Sequence, residues 1–280
     1  MKTTTYSKVL LGLFTICTMF TACGEEDNSN GGSGKPTYVS VDLKSVFTGG
    51  MPKSAGEVHS ITYNEEGLVS TMSISDGNVE FEYANVSARS EDRAPSVRMK
   101  VDYGKGEYSL FTMRLGSNGF VEEAQQVEKD LDEKQECHWR LKYNADGQLS
   151  HIVKESYDEE YDKEEIFVSY QNGDIVKVRQ TTEEGDDDWE DSILYTSPTI
   201  NAPIENKGCV MLFDDAFDID LDEMEYAYYA GLLGKATRHL PVGVIDDKEK
   251  WYYQWTLDEK GYPASVILDS YDNWGYRFSW

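Results

Sequence analysis

The chain has 280 residues, with 52 Asp or Glu against 26 Lys or Arg, and its formal net charge at pH 7 is −26. A surface this acidic repels phosphate backbones and anionic headgroups, which excludes nucleic acid as a partner and argues against an anionic lipid surface. About 240 residues follow the N-terminal segments, enough for one large β domain or two small ones. No Pro-, Gly- or Ser-rich linker divides them.

The N-terminus has the pattern of an export signal. A lysine-containing start precedes an apolar run, residues 9–20, that is too short to span a membrane. The residues Phe20-Thr21-Ala22-Cys23 resemble the lipobox of bacterial lipoproteins, in which the cysteine is diacylated and becomes the mature N-terminus. This resemblance implies a signal peptide over residues 1–22, lipid attachment at Cys23, and the membrane as a partner through that anchor. A plain secretory signal that leaves Cys23 as an ordinary thiol is the alternative.

Residues 23–37 form a predicted flexible tether between the anchor and the domain. The segment is acidic at its start and then rich in Gly, Ser and Asn, so it buries too little apolar area to order itself. Acidic residues just behind a lipidated cysteine resemble the surface-export signal of Bacteroidota lipoproteins. The chain is therefore predicted to be an outer-membrane lipoprotein at the cell surface, with the periplasmic face as the alternative.

One short motif recurs along the rest of the chain, which is predicted to form a single β domain over residues 38–280. In Tyr143-Asn144-Ala145-Asp146-Gly147-Gln148-Leu149, a strand ends on an aromatic residue and polar side chains bond their own backbone. Gly147 supplies a positive φ. Every second residue before the motif is apolar, as expected of a strand with one buried face. Related frames contain Gly67, Gly119, Gly173 and Gly261.

Short connections between the alternating segments predict antiparallel neighbours, in a meander that forms a curved or rolled-up sheet. A β-sandwich and a partly open barrel are the alternatives. One segment has a helical pattern instead, because Met224, Tyr228 and Leu232 recur at helical spacing behind Asp222, which is placed to act as N-cap. The sequence therefore predicts a mainly β fold with one short helix near residues 223–233, its apolar stripe in the core.

Two further segments are distinctive: residues 233–241, LGKATRHLP, and residues 255–263, WTLDEKGYP. With the lipobox and the hairpin frames, they make the chain similar to a family of Bacteroidota lipoproteins with a domain of unknown function. That family is similar to YD or RHS repeats, which implies hairpins that build a long antiparallel sheet and roll up. The resemblance brings no catalytic motif. The frames here lie 52, 28, 26 and 88 residues apart instead of at one fixed period.

No reaction motif is present, so no catalytic residue is assigned and no cofactor is expected. Asp218, Asp220 and Asp222 alternate and would lie on one side of an extended chain, which suits calcium. A solvated strand is the plainer interpretation, since the glycine and the last glutamate of an EF-hand loop are missing. Cys137 and Cys209 form a disulfide in one interpretation, suited to an oxidising compartment, and are unpaired thiols in the other.

The last 30 residues are rich in aromatic side chains, most of them expected in the core because aromatic residues favour half-buried strands. Trp189 and Trp274 lie among turn residues instead, which makes them the candidates for stacking on sugar rings. The ending Tyr276, Phe278 and Trp280 also resembles the closing strand of outer-membrane barrels. Most strands, however, are too short and too charged to form a lipid-facing band.

We therefore expect an exported, lipid-anchored envelope protein with a non-enzymatic binding or structural role, and with a glycan or an envelope protein as its partner. The alternative is a glycoside or peptide hydrolase that uses carboxylates, which the sequence does not single out. A pocket with two close acids and aromatic walls would favour the hydrolase. A flat exposed aromatic strip would favour binding.

Overall fold

The computed structural model describes residues 37–38, 41–86, 96–130, 133–157, 161–183, 185, 188–246, 249–269 and 274–280. The predicted signal peptide, Cys23 and all but the last residue of the predicted tether lie outside the described residues.

Antiparallel strands dominate the described residues, with short helical segments between them. In chain order the elements are β1 Thr37–Tyr38, α1 Leu43–Val46, β2 Ser54–Ala55, β3 Ser60–Tyr63, β4 Val69–Ile74, β5 Gly77–Tyr83, β6 Asn85–Val86, β7 Ser96–Gly104, β8 Glu107–Leu115, β9 Val121–Asp130, β10 Glu133–Tyr143, β11 Leu149–Tyr157, β12 Tyr161–Gln171, β13 Asp174–Thr182, β14 Trp189–Leu194, β15 Ile204–Glu205, α2 Phe213–Phe217, a 3-10 helix Asp222–Tyr228, β16 His239–Leu240, β17 Gly243–Asp246, β18 Glu249–Tyr252, β19 Gln254–Leu257, β20 Pro263–Asp269 and β21 Trp274–Ser279.

Thirteen of the described strands form one antiparallel sheet, in the order β18-β17-β14-β13-β12-β11-β10-β9-β8-β7-β5-β4-β3. Strands that are neighbours in the sheet are also consecutive in the chain, with two exceptions. Strand β6 lies between β5 and β7 in the chain, and a longer segment lies between β14 and β17; neither belongs to this sheet. The end strands β3 and β18 are not paired with each other, so the sheet is not closed into a barrel. This confirms the predicted mainly β fold with an antiparallel meander.

Four of the five glycine frames are turns along one edge of this sheet, called the turn edge below, and the fifth joins β19 to β20. Asn144 Oδ1 accepts hydrogen bonds from the backbone N–H groups of Asp146 and Gln148, both at 3.0 Å. Asn64 and Asp258 accept the corresponding pair of bonds in their own frames. A β-bulge accompanies every frame. The recurrent motif is therefore a repeated turn, as predicted.

In two successive hairpins, a tyrosine near the turn forms a hydrogen bond with the preceding hairpin. The hydroxyl of Tyr143 donates to Val121 O at 2.8 Å, and the hydroxyl of Tyr170 donates to Leu149 O at 2.8 Å. Each acceptor is the first residue of the adjacent strand, which belongs to the preceding hairpin. Burial raises the pKa of both tyrosines, so both hydroxyls remain protonated donors at neutral pH.

The insertion between β14 and β17, residues 195–242, makes one core with the sheet. Most side chains of residues 209–234 are buried, and they join a single hydrophobic cluster with the inward residues of β4 to β14. The insertion therefore packs on the inward face of the sheet.

The end of the insertion, residues 232–242, runs along the turn edge and is called the strap. Leu232 O accepts from Val121 N–H, Lys235 N–H donates to Gly147 O, and Arg238 N–H donates to Gly173 O, at 2.9 to 3.0 Å. Successive turns at this edge lie about 9.6 Å apart, and three extended residues span about 10 Å. This match explains why every third residue of the strap meets the next turn.

The predicted helix over residues 223–233 is a shorter 3-10 helix that ends at Tyr228. Its end is a Schellman motif, in which Leu232 N–H donates to Ala227 O and Gly231 N–H donates to Tyr228 O. Gly231 provides the left-handed residue, with φ 74°, so the helix stops earlier than the sequence predicts. All three residues of the predicted apolar stripe are buried. No described helix has the length and apolar character needed to cross a membrane.

The aromatic C-terminal residues build a second antiparallel sheet, in the order β19-β20-β21-β2. The rings of Trp255 and Phe278 stack with their centroids 5.8 Å apart. Tyr253 is buried at the bend between β18 and β19. Among the described rings of this segment, Tyr253 and Phe278 are buried, and Trp255, Tyr276 and Trp280 pack against the core while partly exposed, so the predicted core role holds for part of the segment.

Candidate functional site

A cleft opens where the inward face of the large sheet turns polar, away from the turn edge. Along β10 the inward positions change from Trp139 to Cys137 and Gln135, and along β11 they change from Ile152 to Lys154. The 3-10 helix forms the opposite wall. The cleft has a volume of about 540 Å³, and it is called the acidic cleft below. Its lining residues are Tyr103, Glu128, Gln135, Cys137, Lys154, Ser156, Asp222, Glu223, Glu225 and Tyr226.

An ion pair joins the sheet to the insertion inside the cleft. Lys154 Nζ lies 2.9 Å from Asp222 Oδ1 and 5.1 Å from the centroid of the Trp139 ring. Burial raises the pKa of Asp222, and the neighbouring ammonium partly offsets this effect. The predicted role of Asp222 as N-cap is wrong, because Leu221 holds that position and the Asp222 carboxylate neutralises Lys154 instead.

The remaining acids of the cleft have different environments. The Tyr103 hydroxyl donates to Glu223 Oε1 at 2.6 Å. Burial raises the pKa of Glu128, and the negative charges of Glu223 and Asp222 raise it further. Burial, reinforced by neighbouring carboxylates, raises the pKa of Glu225 to about 8. Glu225 is therefore largely protonated at neutral pH.

A small cavity of about 20 Å³, which is room for about one water molecule, adjoins the acidic cleft and shares Glu225 and Tyr226 with it. Glu57 and Asp215 also line this cavity. The Tyr226 hydroxyl donates to Glu57 Oε2 at 3.4 Å. Burial raises the pKa of Asp215 to about 6, although the neighbouring Tyr276 hydroxyl lowers it. Carboxylates thus continue from the cleft along the small cavity, where Glu57 is exposed and Asp215 is half-buried.

The two predicted sugar-stacking residues start strands of different sheets, and neither lines the acidic cleft. Trp274 is 47% exposed, and its ring meets Tyr276 edge-on with the centroids 5.4 Å apart. Tyr276 lines the small cavity, which places Trp274 near the acids. Trp189 is half-buried and packs against the core. Trp251 and Tyr252 are also exposed, on the edge strand β18.

The three alternating aspartates have separate partners. Asp218 ends α2 with φ 54°, and Asp220 Oδ1 accepts a hydrogen bond from the Asp222 N–H at 2.8 Å. Asp222 pairs with Lys154. Among the residues that the structure describes, no group of three or more His, Cys, Asp or Glu side chains is arranged to hold a metal ion. The calcium hypothesis gains no support from this geometry.

The two cysteines of the domain are free. Cys137 Sγ lies 3.4 Å from Ser156 Oγ in the cleft, and Cys209 Sγ lies 3.7 Å from Thr48 Oγ1. Of the two interpretations of these cysteines, the structure agrees with the unpaired thiols.

Several cleft residues break the apolar alternation of their strands, and this feature of the sequence is easy to overlook. Glu128, Gln135 and Lys154 occupy inward positions of alternating strands, where an apolar side chain is expected. A polar residue in an inward position marks a place where the sheet lines a cavity instead of the core. Tyr103 and Glu225 carry no comparable signal, since their roles depend on contacts between distant segments.

Two solved structures are similar to the chain in fold. They are crystal structures of a porin-like protein from Bacteroides uniformis ATCC 8492 and of a porin-like protein from Bacteroides vulgatus ATCC 8482. Each gives a TM-score of 0.51, at 16% and 15% sequence identity respectively. The matches cover 80% and 81% of this chain, and 95% and 96% of the other chains. At this identity the similarity shows the fold alone.

A comparison with curated proteins gives no significant match. A sequence profile of the family described as a domain of unknown function (DUF4595) with porin-like fold matches residues 51–265. This range exceeds three quarters of the chain, which confirms the expected membership in a family of unknown function. The YD or RHS likeness and the lipoprotein assignment stay predictions. The open meander around its insertion, together with the matched range, places the chain in the DUF4595 family of domains with a porin-like fold.

Proposed function

We propose that the chain is an exported envelope protein, anchored by a lipid at Cys23, that binds a glycan in the acidic cleft without transforming it. The lipobox-like residues before Cys23 support the anchor, and the acidic residues behind it support the cell surface over the periplasmic face. The porin-like fold of the two Bacteroides proteins fits an envelope association in general terms.

The observation that carries the proposal is the composition of the acidic cleft. Its volume of about 540 Å³ lies within the usual range for small-molecule sites, roughly 300–1,000 Å³. Carboxylates accept hydrogen bonds from hydroxyl groups, and amides both donate to them and accept from them. The half-buried Tyr103 supplies a ring surface on which a sugar packs. These are the groups that a site for a polar, hydroxyl-rich ring requires.

Internal partners of the cleft acids favour binding over chemistry. A carboxylate that acts as nucleophile or base needs a lone pair directed at the substrate. Asp222 is neutralised by Lys154, and Glu223 accepts the Tyr103 hydroxyl. These contacts use one oxygen of each carboxylate to hold the cleft together, which supports a structural role for the two acids.

A glycan array with the full-length chain, followed by calorimetric titration of the best ligand, tests the proposal. We expect saturable binding that Tyr103→Ala and Gln135→Ala each weaken at least about tenfold. Gln135 is exposed, so its replacement leaves the core intact. Tyr252→Ala, on the exposed edge strand, serves as the matched control and should bind as the unmodified chain does. No binding to any glycan, or equal loss in the control, would contradict the cleft assignment.

Trp274→Ala separates the cleft from the aromatic tail. We expect at most a modest effect, because Trp274 lies near the small cavity and does not line the cleft. Loss of glycan binding in Trp274→Ala, with Tyr103→Ala unaffected, would move the site to the tail and overturn the assignment.

A carboxylate-dependent hydrolase is the second candidate, and the environment of Glu225 is the observation that favours it. A protonated acid with a pKa of about 8, surrounded by other carboxyl groups, resembles the general acid of a carboxylate pair. The measurement is product release from the bound glycan or from peptides, compared between the unmodified chain and Glu225→Gln. Turnover that Glu225→Gln abolishes would establish the hydrolase, and intact ligand would exclude it for the substrates tested.

A further inference from the structure

A second groove, of about 430 Å³, lies at the turn edge and has the opposite charge. Lys207, Lys235 and Arg238 line it, together with the single acid Glu205, and we call it the basic groove. The chain as a whole carries two acids for every base. A local excess of positive charge therefore stands out against the rest of the molecule.

The turn frames determine where two of these cations lie. Lys235 N–H donates to Gly147 O at 2.9 Å, and Arg238 N–H donates to Gly173 O at 3.0 Å. A Cβ added at Gly147 would meet the aliphatic part of Lys235, and a Cβ added at Gly173 would meet the Arg238 Cβ. Because the strap meets a turn at every third residue, both side chains leave it next to a turn and reach the same groove.

The third cation comes from a different segment. Lys207 Nζ donates to Lys260 O at 3.0 Å, in the turn that joins β19 to β20. Cys209, which also lines the groove, has a left-handed φ of 51°. A non-glycine residue in this conformation is strained, and such strain concentrates at binding sites.

Buried amides fix the backbone that carries the cations. Gln148 Nε2 donates to Gly173 O at 2.9 Å and to Ala236 O at 3.0 Å. Asn206 Nδ2 donates to Thr237 O at 3.2 Å. These bonds brace the part of the strap between Lys235 and Arg238, so the groove is organised before a ligand arrives.

Ion pairing leaves the charge of the groove uncompensated. Some described lysines and arginines have a carboxylate partner, as Lys154 and Arg114 do, and others have none. Within the described residues, none of the three groove cations makes an ion pair. Three like charges on one fixed surface repel each other, and a bound anion removes that repulsion.

We propose that the basic groove binds a phosphate group carried by a small soluble ligand. The planar guanidinium of Arg238 suits two parallel hydrogen bonds to phosphate oxygens, and two lysines supply the charge that a dianion requires. The net charge of −26 repels an anionic bilayer, so a soluble ligand is favoured over a lipid headgroup. The basic groove and the acidic cleft share no lining residue, so this site stands independently of the glycan proposal.

Calorimetric titration of the full-length chain with inorganic phosphate and with glucose 6-phosphate tests the proposal. We expect saturable binding that weakens as the NaCl concentration rises. Arg238→Gln and Lys235→Gln should each weaken it at least about tenfold. Both side chains are exposed, so neither change disturbs the core. Lys250→Gln removes the same charge from the exposed strand β18 and should leave the affinity unchanged.

Three results would overturn the proposal. The first is no saturable binding of either phosphate compound. The second is an equal loss of affinity in Lys250→Gln and Arg238→Gln, which would indicate a general charge effect. The third is co-sedimentation with phosphatidylglycerol vesicles in the absence of binding to the soluble phosphates, which would assign the groove to a lipid surface.

Discussion

At the turn edge, single side chains decide whether a turn closes. Asn144→Ala removes the oxygen that accepts the N–H groups of Asp146 and Gln148. We expect the free energy of unfolding to fall by about 1–2 kcal/mol, since two backbone donors lose their partner. Urea denaturation measures the change. Asn201→Ala, at an exposed position, is the control and should shift the free energy by less than about 0.5 kcal/mol; equal effects would refute this role of Asn144.

In the acidic cleft, one carboxyl makes the stability depend on pH. Native Glu225 keeps its proton up to about pH 8, whereas its ordinary pKa is 4.5. Between these values the native state binds more protons than the unfolded state, so its stability falls as the pH rises and levels off above the native pKa. Glu225→Gln removes this loss, and we expect a gain on the order of 4 kcal/mol at pH 9 that shrinks towards pH 5.

Thermal melts from pH 5 to pH 9 check this expectation. Glu66→Gln, at an exposed turn position, is the control and should leave the shape of the curve unchanged. Parallel curves for the unmodified chain and Glu225→Gln would show that Glu225 is ionised in the native state.

At the residue scale, the sequence predicts local roles and misses distant ones. Asn144 and Gly147 close a turn through contacts with residues of the same turn, so the local sequence is enough to predict their role. Lys154 and Asp222 are 68 residues apart, and alternation within β11 does not indicate which acid the lysine meets. The cleft was therefore not predictable, although its polar inward positions were visible.

At the scale of elements, hydrogen bonds from tyrosine hydroxyls link successive hairpins and stabilise the meander. Tyr143→Phe leaves the buried Val121 carbonyl without the hydroxyl that donates to it at 2.8 Å. We expect a loss of about 1–2 kcal/mol in the free energy of unfolding. Chemical denaturation measures it, with Tyr252→Phe on the exposed edge strand as the control. A Tyr143→Phe chain as stable as the control would show that the hydroxyl bond contributes nothing.

The order of the strands was predictable because short connections force neighbours to pair. The path of the strap was not, since a connection of this length between β14 and β17 has no preferred route. The helix prediction was too long because the pattern of Met224, Tyr228 and Leu232 continues past the residue at which the chain turns. Gly231 ends the helix, whereas the sequence pattern predicts the next glycine, Gly234, as the stop.

At the scale of the whole molecule, the open sheet separates two sites of opposite charge. The basic groove lies at the turn edge, where the strap crosses the hairpins. The acidic cleft lies where the inward face turns polar, away from that edge. The large acidic excess of the composition hides the local basic charge of the groove.

The proposed role at the cell envelope requires the lipid anchor at Cys23, so Cys23→Ala tests the proposal most directly. The measurement is protease shaving of intact cells together with membrane fractionation, and Cys17→Ala within the signal segment is the matched control. We predict that the unmodified chain and Cys17→Ala stay with the membrane and are digested from outside, whereas Cys23→Ala leaves the membrane fraction and is protected. A Cys23→Ala chain that remains on the membrane and is still digested at the surface would contradict lipid anchoring.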